Sequence, residues 1–393
     1  MYDFVKEENV RRISEWISNG KDGQVNFYPT YIQLEHTNRC NARCIMCNHF
    51  YLENKGAKDI SYEMVKKIEP LLQYCKLIML NGDGEPFLCK YIEKYISLYH
   101  KYGVMIGTNT NLCALTPKMI SEVGGYIDFL NISCDGSNKE LFENIRRGLK
   151  FETFIDNIKL LNKNYPNIRK NLDCVLMIQN INQVVELVRF AAEYNFDSIK
   201  FNMLGVNPCI GNEKDSLLNY PNAASFYLHT AENEAKRLNI KIIYPNIFKN
   251  KIDKKKIDIE IELIKSFDWK IVNQRLHSCR ESYQQESLSG DYLNKKVQNC
   301  DLIENKIYAP ELCQWAVERC YIDLFGNVST CCYNVHNFMG NLLETESFEE
   351  IWNGKEYQLF RNNMKSGYLP TWCKYCGFYC GKIKTNFVGE KKS

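Results

Sequence analysis

The alternation of apolar and polar positions divides the chain into three stretches of different rhythm. Residues 1–28 read as a helical lead-in, because Val10, Ile13, Trp16 and Ile17 recur at helical spacing. From Tyr31, short apolar runs alternate with longer stretches of helical period. The runs predict strands at Tyr31–Glu35, Leu77–Leu80, Val104–Thr108, Phe129–Ser133, Cys174–Ile178 and Ile199–Met203. Helices are expected between them near 61–73, 90–101, 117–122, 152–163 and 182–194. This alternation predicts a parallel sheet with crossover helices. Six units form a partial barrel more naturally than a closed eightfold one, so the expected fold class is α/β, a partial (β/α)6 barrel over 29–204. Chemistry in such sheets gathers on the loops after the strands' C-terminal ends.

After Leu204 the rhythm breaks. Residues 205–312 carry a helix near 222–237, a strand at Ile240–Tyr244 and then charged, polar sequence. They read as a connector with insertions, part of a substrate cover. Its basic run, Lys249–Lys256, reads as a solvated loop. Residues 313–393 form a small cysteine-rich domain, with a hairpin about Gly326 and a helical segment near 347–364. No repeat of fixed period is visible.

Composition changes the picture at one point. Eighteen cysteines in 393 residues are about 5 % of the chain, below the roughly 8–10 % of a disulfide scaffold. A chain of this length buries a large core without staples. Apolar runs such as Leu77–Leu80 fall far short of the roughly 20 residues that cross a bilayer, so no membrane partner is expected. Fifty basic and 47 acidic residues leave a net charge of +3, which does not suggest a nucleic-acid partner. Charged residues fill Met1–Arg12 and no apolar signal core follows, so the expected location is the cytoplasm. Clustered thiols in a reducing compartment are more often metal ligands or reactive groups than disulfides.

The strongest cluster is Cys40-Asn-Ala-Arg-Cys44-Ile-Met-Cys47, just past the first predicted strand. Three thiolates in eight residues suit an iron–sulfur cubane with one iron left open. A zinc knuckle would need a fourth ligand, which His36 or His49 could supply. The second cluster is Cys313-x12-Gly326-x4-Cys331 with a distant Cys373-x2-Cys376. The glycine permits a tight turn between the first pair. Four thiolates suit either zinc or an iron–sulfur cluster.

The first motif, in its strand-to-loop setting, resembles the radical S-adenosylmethionine (SAM) superfamily over about 30–204. The resemblance implies a [4Fe–4S] cluster on Cys40, Cys44 and Cys47, with SAM chelating the fourth iron. One-electron cleavage of SAM would then give a 5′-deoxyadenosyl radical. Asn81-Gly82-Asp83-Gly84-Glu85-Pro86 resembles the family's glycine–glycine–glutamate motif, which holds the SAM amino group. Asn109 and Asn111, then Ser133 and Asp135, resemble the positions that bind its ribose and carboxylate. Arg146 suits a carboxylate by its bidentate geometry, with a surface salt bridge as the alternative, Asn180 follows strand five, and Met203 and Leu204 would flank the adenine.

The segments Gly326–Cys332, Gly340-Asn341-Leu342, Glu349–Asn353 and Cys373–Cys376 resemble the SPASM and twitch auxiliary-cluster domains of that superfamily. The resemblance implies one auxiliary [4Fe–4S] cluster on Cys313, Cys331, Cys373 and Cys376. Cys320 or Cys380 replacing one of these is an open alternative, and Cys332 is spare. Cys75, Cys89, Cys113, Cys134 and Cys174 read as packing residues. Cys209, Cys279 and Cys300 are candidates for a thiol that returns a hydrogen atom to a substrate radical.

The chemistry implied is abstraction of a substrate hydrogen. Oxidation follows if the auxiliary cluster relays an electron; epimerisation follows if a thiol returns a hydrogen. The one-cluster arrangement resembles enzymes of aminocyclitols and sugars, and only about 30 residues precede Tyr31. The expected substrate is therefore carbohydrate-like or an aminocyclitol, with peptide modification as the alternative and a zinc scaffold as the reading from another class. The expected reductant is a flavodoxin or ferredoxin.

Overall fold

A computed structural model describes residues 2–19, 23–47, 49, 56–206, 210–249, 252–276, 313–332 and 338–366. The helical lead-in is α1 (Asp3–Asn19), but its buried stripe is Lys6, Asn9, Ile13 and Trp16, with Ile17 turned to solvent. The helix is rotated by two polar anchors that periodicity does not count. Lys6 Nζ donates to the carbonyls of Tyr102 (2.9 Å) and Gly103 (2.6 Å), and Asn9 pairs with both main-chain groups of Tyr28.

Six parallel strands follow in sequential order: β1 (Tyr31–Leu34), β2 (Leu77–Met79), β3 (Met105–Thr110), β4 (Phe129–Ser133), β5 (Arg169–Leu176) and β6 (Ser198–Met203). Helices α2 (Tyr62–Ile68), α3 (Ile92–Lys101), α4 (Pro117–Val123), α6 (Phe151–Asn164) and α7 (Val184–Glu193) cross between them, as the pattern predicts. A further short helix, α5 (Lys139–Ile145), capped by the Asn138 side chain, was not expected. One sheet face is apolar. Ile32, Ile78, Ile106, Leu130, Leu172 and Ile199 are all 0 % exposed beneath the helices, each contributing roughly 1.5–3 kcal/mol.

The opposite face carries an ordered polar row across β3 to β6. Asn109, Asn131, Asn171 and Ser198 stand side by side in register on β3 to β6. Their side chains form a ladder, each link 2.9 Å long: Asn131 Nδ2 to Asn109 Oδ1, Asn171 Nδ2 to Asn131 Oδ1, and Ser198 Oγ to Asn171 Oδ1.

The sheet does not stop at six strands. Residues read as part of the connector supply β7 (Lys241–Ile243), parallel to β6, after helix α8 (Pro221–Arg237). The basic run, expected as a loop, enters helix α9 (Lys254–Lys265), capped by Asp253. At the other edge, β8 (Arg319–Ile322) pairs in parallel with β1, placing Tyr31 opposite Arg319 and Gln33 opposite Tyr321. The predicted hairpin about Gly326, whose φ of +89° needs glycine, joins β8 to β9 (Asn327–Ser329). Strand β10 (Phe338–Asn341) completes a ten-stranded sheet among the described residues. The cysteine-rich segment is thus continuous with the core sheet. Two more helices, Phe348–Trp352 and Lys355–Lys365, fold back on it. There, Trp352 Nε1 donates to the Phe27 carbonyl (2.8 Å). Among the described residues no helix is long and apolar enough to cross a membrane.

Candidate active site

Cys40, Cys44 and Cys47 are half-buried in the loop after β1. The loop is tied on three sides. The Glu85 N–H donates to the Arg39 carbonyl (2.7 Å), Asn111 Nδ2 donates to Asn41 Oδ1 (2.8 Å), and the Ile45 N–H donates to the Ile145 carbonyl (3.0 Å). Arg43 and Cys44 also pair as a two-residue ribbon with Arg147 and Arg146. Gly84 permits the close approach, since a Cβ there would lie 2.4 Å from the Thr37 carbonyl oxygen.

Among the described residues, the motif itself offers three thiols. His36, a sequence candidate for a fourth ligand, is wholly buried, with Nδ1 at the carbonyls of Leu34 (2.9 Å) and Leu80 (3.2 Å) and Nε2 at Tyr99 Oη (2.8 Å). Burial pushes it down to about 4. His49 Nε2 contacts the Asn38 carbonyl. Three cysteines without histidine suit an iron–sulfur cluster with one open iron better than a closed zinc site. Burial pushes the Cys40 thiol up to about 11 and Cys47 to about 12, so an electropositive metal is what would favour their thiolates. Among the described residues no three His, Cys, Asp or Glu side chains are grouped to hold a metal ion.

Glu85 is 3 % exposed. Its Oε1 accepts from Thr110 Oγ1 and its Oε2 from the Asn111 N–H, both at 2.7 Å. Burial pushes its carboxyl up to about 7 against these donors. The neighbouring Gly82 and Asp83 face Glu35, whose Oε1 accepts from the Asp83 N–H (2.8 Å).

A second group lies behind Cys44. Asp135, fully buried, takes Arg146 Nη2 at 2.7 Å and the Val175 N–H at 2.7 Å. Arg146 Nη1 reaches Cys44 Sγ at 3.8 Å, while its Nε is buried without a hydrogen-bond partner among the described residues. Burial raises the Asp135 carboxyl and the guanidinium opposes it. Asn180, 0 % exposed, donates to the carbonyls of Asp135 (3.2 Å) and Val175 (2.9 Å). The structure thus gathers Cys44, Asp135, Arg146 and Asn180.

The other sequence candidates are spread along the strand ends. Asn109 belongs to the amide ladder, and Ser133 is in register with Asp173 of β5. Met203 is half-buried at the end of β6. Leu204 joins a separate apolar cluster with Ile45, Ile145, Met177, Val272 and Leu276, which brings the connector over the cysteine loop. Cys313, Cys331 and Cys332 are half-buried, and Cys320 is wholly buried on β8. Cys75, Cys89, Cys134 and Cys174 are buried, as expected of packing residues, and Cys113 is half-buried. Cys209, Cys279, Cys300, Cys373, Cys376 and Cys380 lie outside the described residues.

Two positions escaped sequence reasoning. Asp173, on the polar face opposite Lys200 of β6, is pushed up to about 6 by burial while Lys200 pulls it down. Glu35 bridges two loops. Each is a lone acid in or beside a strand, and only the pairing of strands reveals its surroundings.

Comparison with known proteins agrees with this geometry. The radical SAM superfamily matches residues 34–206, and the iron–sulfur cluster-binding SPASM domain matches 313–377. The tungsten-containing aldehyde ferredoxin oxidoreductase cofactor-modifying protein of Pyrococcus furiosus is 27 % identical over 190 residues, 45 % of this chain and 52 % of that one. The GTP 3′,8-cyclase of Lactiplantibacillus plantarum is 24 % identical over 189 residues, 44 % of this chain and 55 % of that one. The chain spans about half the length of these two relatives. Among solved structures, Streptococcus suis SuiB bound to precursor peptide SuiA overlays with a TM-score of 0.56 at 13 % identity, covering 91 % of this chain and 70 % of that one. A tagged form of anSMEcpe with bound AdoMet overlays at 0.57 and 17 % identity, covering 89 % and 87 %. With its thiol loop at the end of the first strand and these two domain matches, the chain belongs to the radical SAM superfamily and is an enzyme of it, carrying a C-terminal SPASM iron–sulfur domain.

Proposed function

We propose that this enzyme modifies a peptide by radical chemistry. Cys40, Cys44 and Cys47 would hold a [4Fe–4S] cluster, and Cys313, Cys331, Cys373 and Cys376 an auxiliary one. When bound, the first cluster and SAM supply reductive cleavage of SAM and a radical able to take a substrate hydrogen.

The chain's own residues do the positioning. Glu85 and Asn111 hold the cysteine loop by its main chain and by Asn41. Arg146 sets its guanidinium on Cys44 and is itself fixed by Asp135. The loop of Gly82, Asp83 and Gly84 offers main-chain groups to the SAM amino end. Asn109, Ser133 and Met203 stand near the strand ends where the remainder of SAM would lie, and the buried Asn180 and Leu204 would support that region from behind. The polar face with Asp173 and Lys200 is suited to a hydrogen-bonding substrate. The connector cluster of Val272 and Leu276 keeps water from the back of the cysteine loop.

The observation that carries the peptide reading is the overlay of nine-tenths of the chain on SuiB, which was solved with a precursor peptide. The structure of anSMEcpe with AdoMet and the Cp18Cys peptide also overlays, at a TM-score of 0.56. This reading replaces the expectation of a carbohydrate-like substrate. We place the enzyme in the cytoplasm, with a flavodoxin or ferredoxin as reductant.

The test is anaerobic reconstitution with iron and sulfide, then reduction with SAM present. About eight irons per chain and release of 5′-deoxyadenosine are expected. Substitution of Cys40, Cys44 and Cys47 by alanine should abolish the release. Candidate peptides encoded beside the gene are then assayed by mass spectrometry. Turnover of an aminocyclitol with no change in any peptide would overturn the peptide reading. Colourless protein with stoichiometric zinc would overturn both.

A further inference from the structure

Glu35 follows β1 directly and is 3 % exposed. Its Oε1 accepts from the Asp83 N–H (2.8 Å) and its Oε2 from the Leu324 N–H (3.3 Å). Its own N–H donates to the Ile322 carbonyl (2.9 Å). One carboxylate therefore joins two loops remote in sequence: the loop after β2 and the turn between β8 and β9. Gly82 makes room for it, since a Cβ there would fall 2.4 Å from Glu35 Cγ. Asp83 and Asp323 face the same carboxyl, and burial pushes it up to about 7. Burying an acid between two others is costly, and the two N–H donors offset that cost. An apolar residue at this position would support the sheet but would hold neither loop.

We infer that Glu35 is a positioning residue that couples the SAM-binding loop 82–85 to the C-terminal iron–sulfur unit. The inference rests on the reading of that loop as a SAM contact. A shift of the Asp83 N–H on SAM binding moves Oε1. The other oxygen carries the shift to Leu324, and the turn carries it to β9 and Cys331. By linkage, the state of the C-terminal unit changes SAM affinity by the same factor.

Hydrogen–deuterium exchange on the reconstituted enzyme, with and without SAM, tests this. In the wild type, SAM should slow exchange in peptides covering 82–85 and also 322–329, the latter about tenfold. In Glu35→Gln, which offers one acceptor oxygen in place of two, SAM should still protect 82–85. Protection of 322–329 should fall below about twofold. Undiminished protection of 322–329 in the variant would overturn the coupling. So would wild-type protection confined to 82–85, a measurement that needs no variant to fold. Absence of protection at 82–85 would instead remove the SAM reading of that loop, and the coupling with it.

Discussion

Arg146 Nη1 lies 3.8 Å from Cys44 Sγ while Nη2 of the same guanidinium lies 2.7 Å from Asp135 Oδ2. The cysteine loop is thus backed by a cation that is already committed to a buried carboxylate. Removing the cation strands Asp135. Arg146→Met should destabilise the apoprotein by about 3–5 kcal/mol in urea unfolding. The double variant Arg146→Met/Asp135→Asn should recover most of that. Arg146→Lys should fall between, because an ammonium cannot span both partners. Equal stability of the two single-residue replacements would contradict a paired role.

Gly84 closes its loop on the residues just before Cys40. Gly84→Ala would place a methyl 2.4 Å from the Thr37 carbonyl oxygen and 2.6 Å from that of Arg39. Those main-chain atoms can yield only by moving the cysteine loop. A cost of about 1–3 kcal/mol is expected, with lower iron content after reconstitution. Gly125→Ala, where nothing lies within 4 Å, serves as control and should retain wild-type iron. Normal iron in Gly84→Ala would show the loop to be compliant.

Glu35 also gives a pH dependence. Its folded carboxyl titrates near 7, above the ordinary 4.5, and the groups facing it are Asp83, Asp323 and the Tyr321 phenol. Between those values the folded state holds the extra proton, so this group subtracts stability as pH rises from about 4.5 to about 7, by up to about 3 kcal/mol. Above 7 its contribution is flat. Thermal melts of the wild type and Glu35→Gln should therefore draw together or cross as pH rises through this window. Parallel curves would show that Glu35 does not titrate there.

Arg361 makes the C-terminal helices part of the whole. Its Nε donates to the Ala316 carbonyl (3.1 Å), and its Nη1 to those of Gly23 (3.1 Å) and Trp352 (2.7 Å). Its guanidinium lies 4.3 Å from the centre of the Trp352 ring. Arg361→Met leaves these carbonyls without that donor, at about 1–3 kcal/mol for each one left unsatisfied. Because the sheet is continuous, the loss should lower one common Tm. A separate early transition for the C-terminal unit would contradict this.

Much of the core could be read from the chain because Ile32, Ile78, Ile106 and Leu130 announce their strands. The first half of β5 could not. Arg169, Lys170 and Asn171 look like loop residues, yet Lys170 is buried with Nζ on the Ile168 carbonyl, and Asn171 is a rung of the ladder. Ion pairing hid in the same way: the sequence offered Arg146 for the SAM carboxylate, and its pairing with the buried Asp135 shows only once β4 and the ribbon come together. The first thiol motif was legible because its spacing is local, whereas the second runs from Cys313 to Cys376 and its last pair lies outside the described residues. The role of Glu35 was not legible, because its partners Asp83 and Leu324 lie 48 and 289 residues away.

The pairing of β8 with β1 has a consequence for synthesis. Thr30, at the start of β1, bonds the Glu318 carbonyl across 288 residues. Until the ribosome has made β8, one edge of β1 has no strand to meet it. An unpaired edge recruits other chains, and contacts so distant in sequence form late. Fragments ending before Arg319 are therefore expected to aggregate even though they hold the entire six-strand core, because the strand that covers this edge of β1 comes from the C-terminal unit.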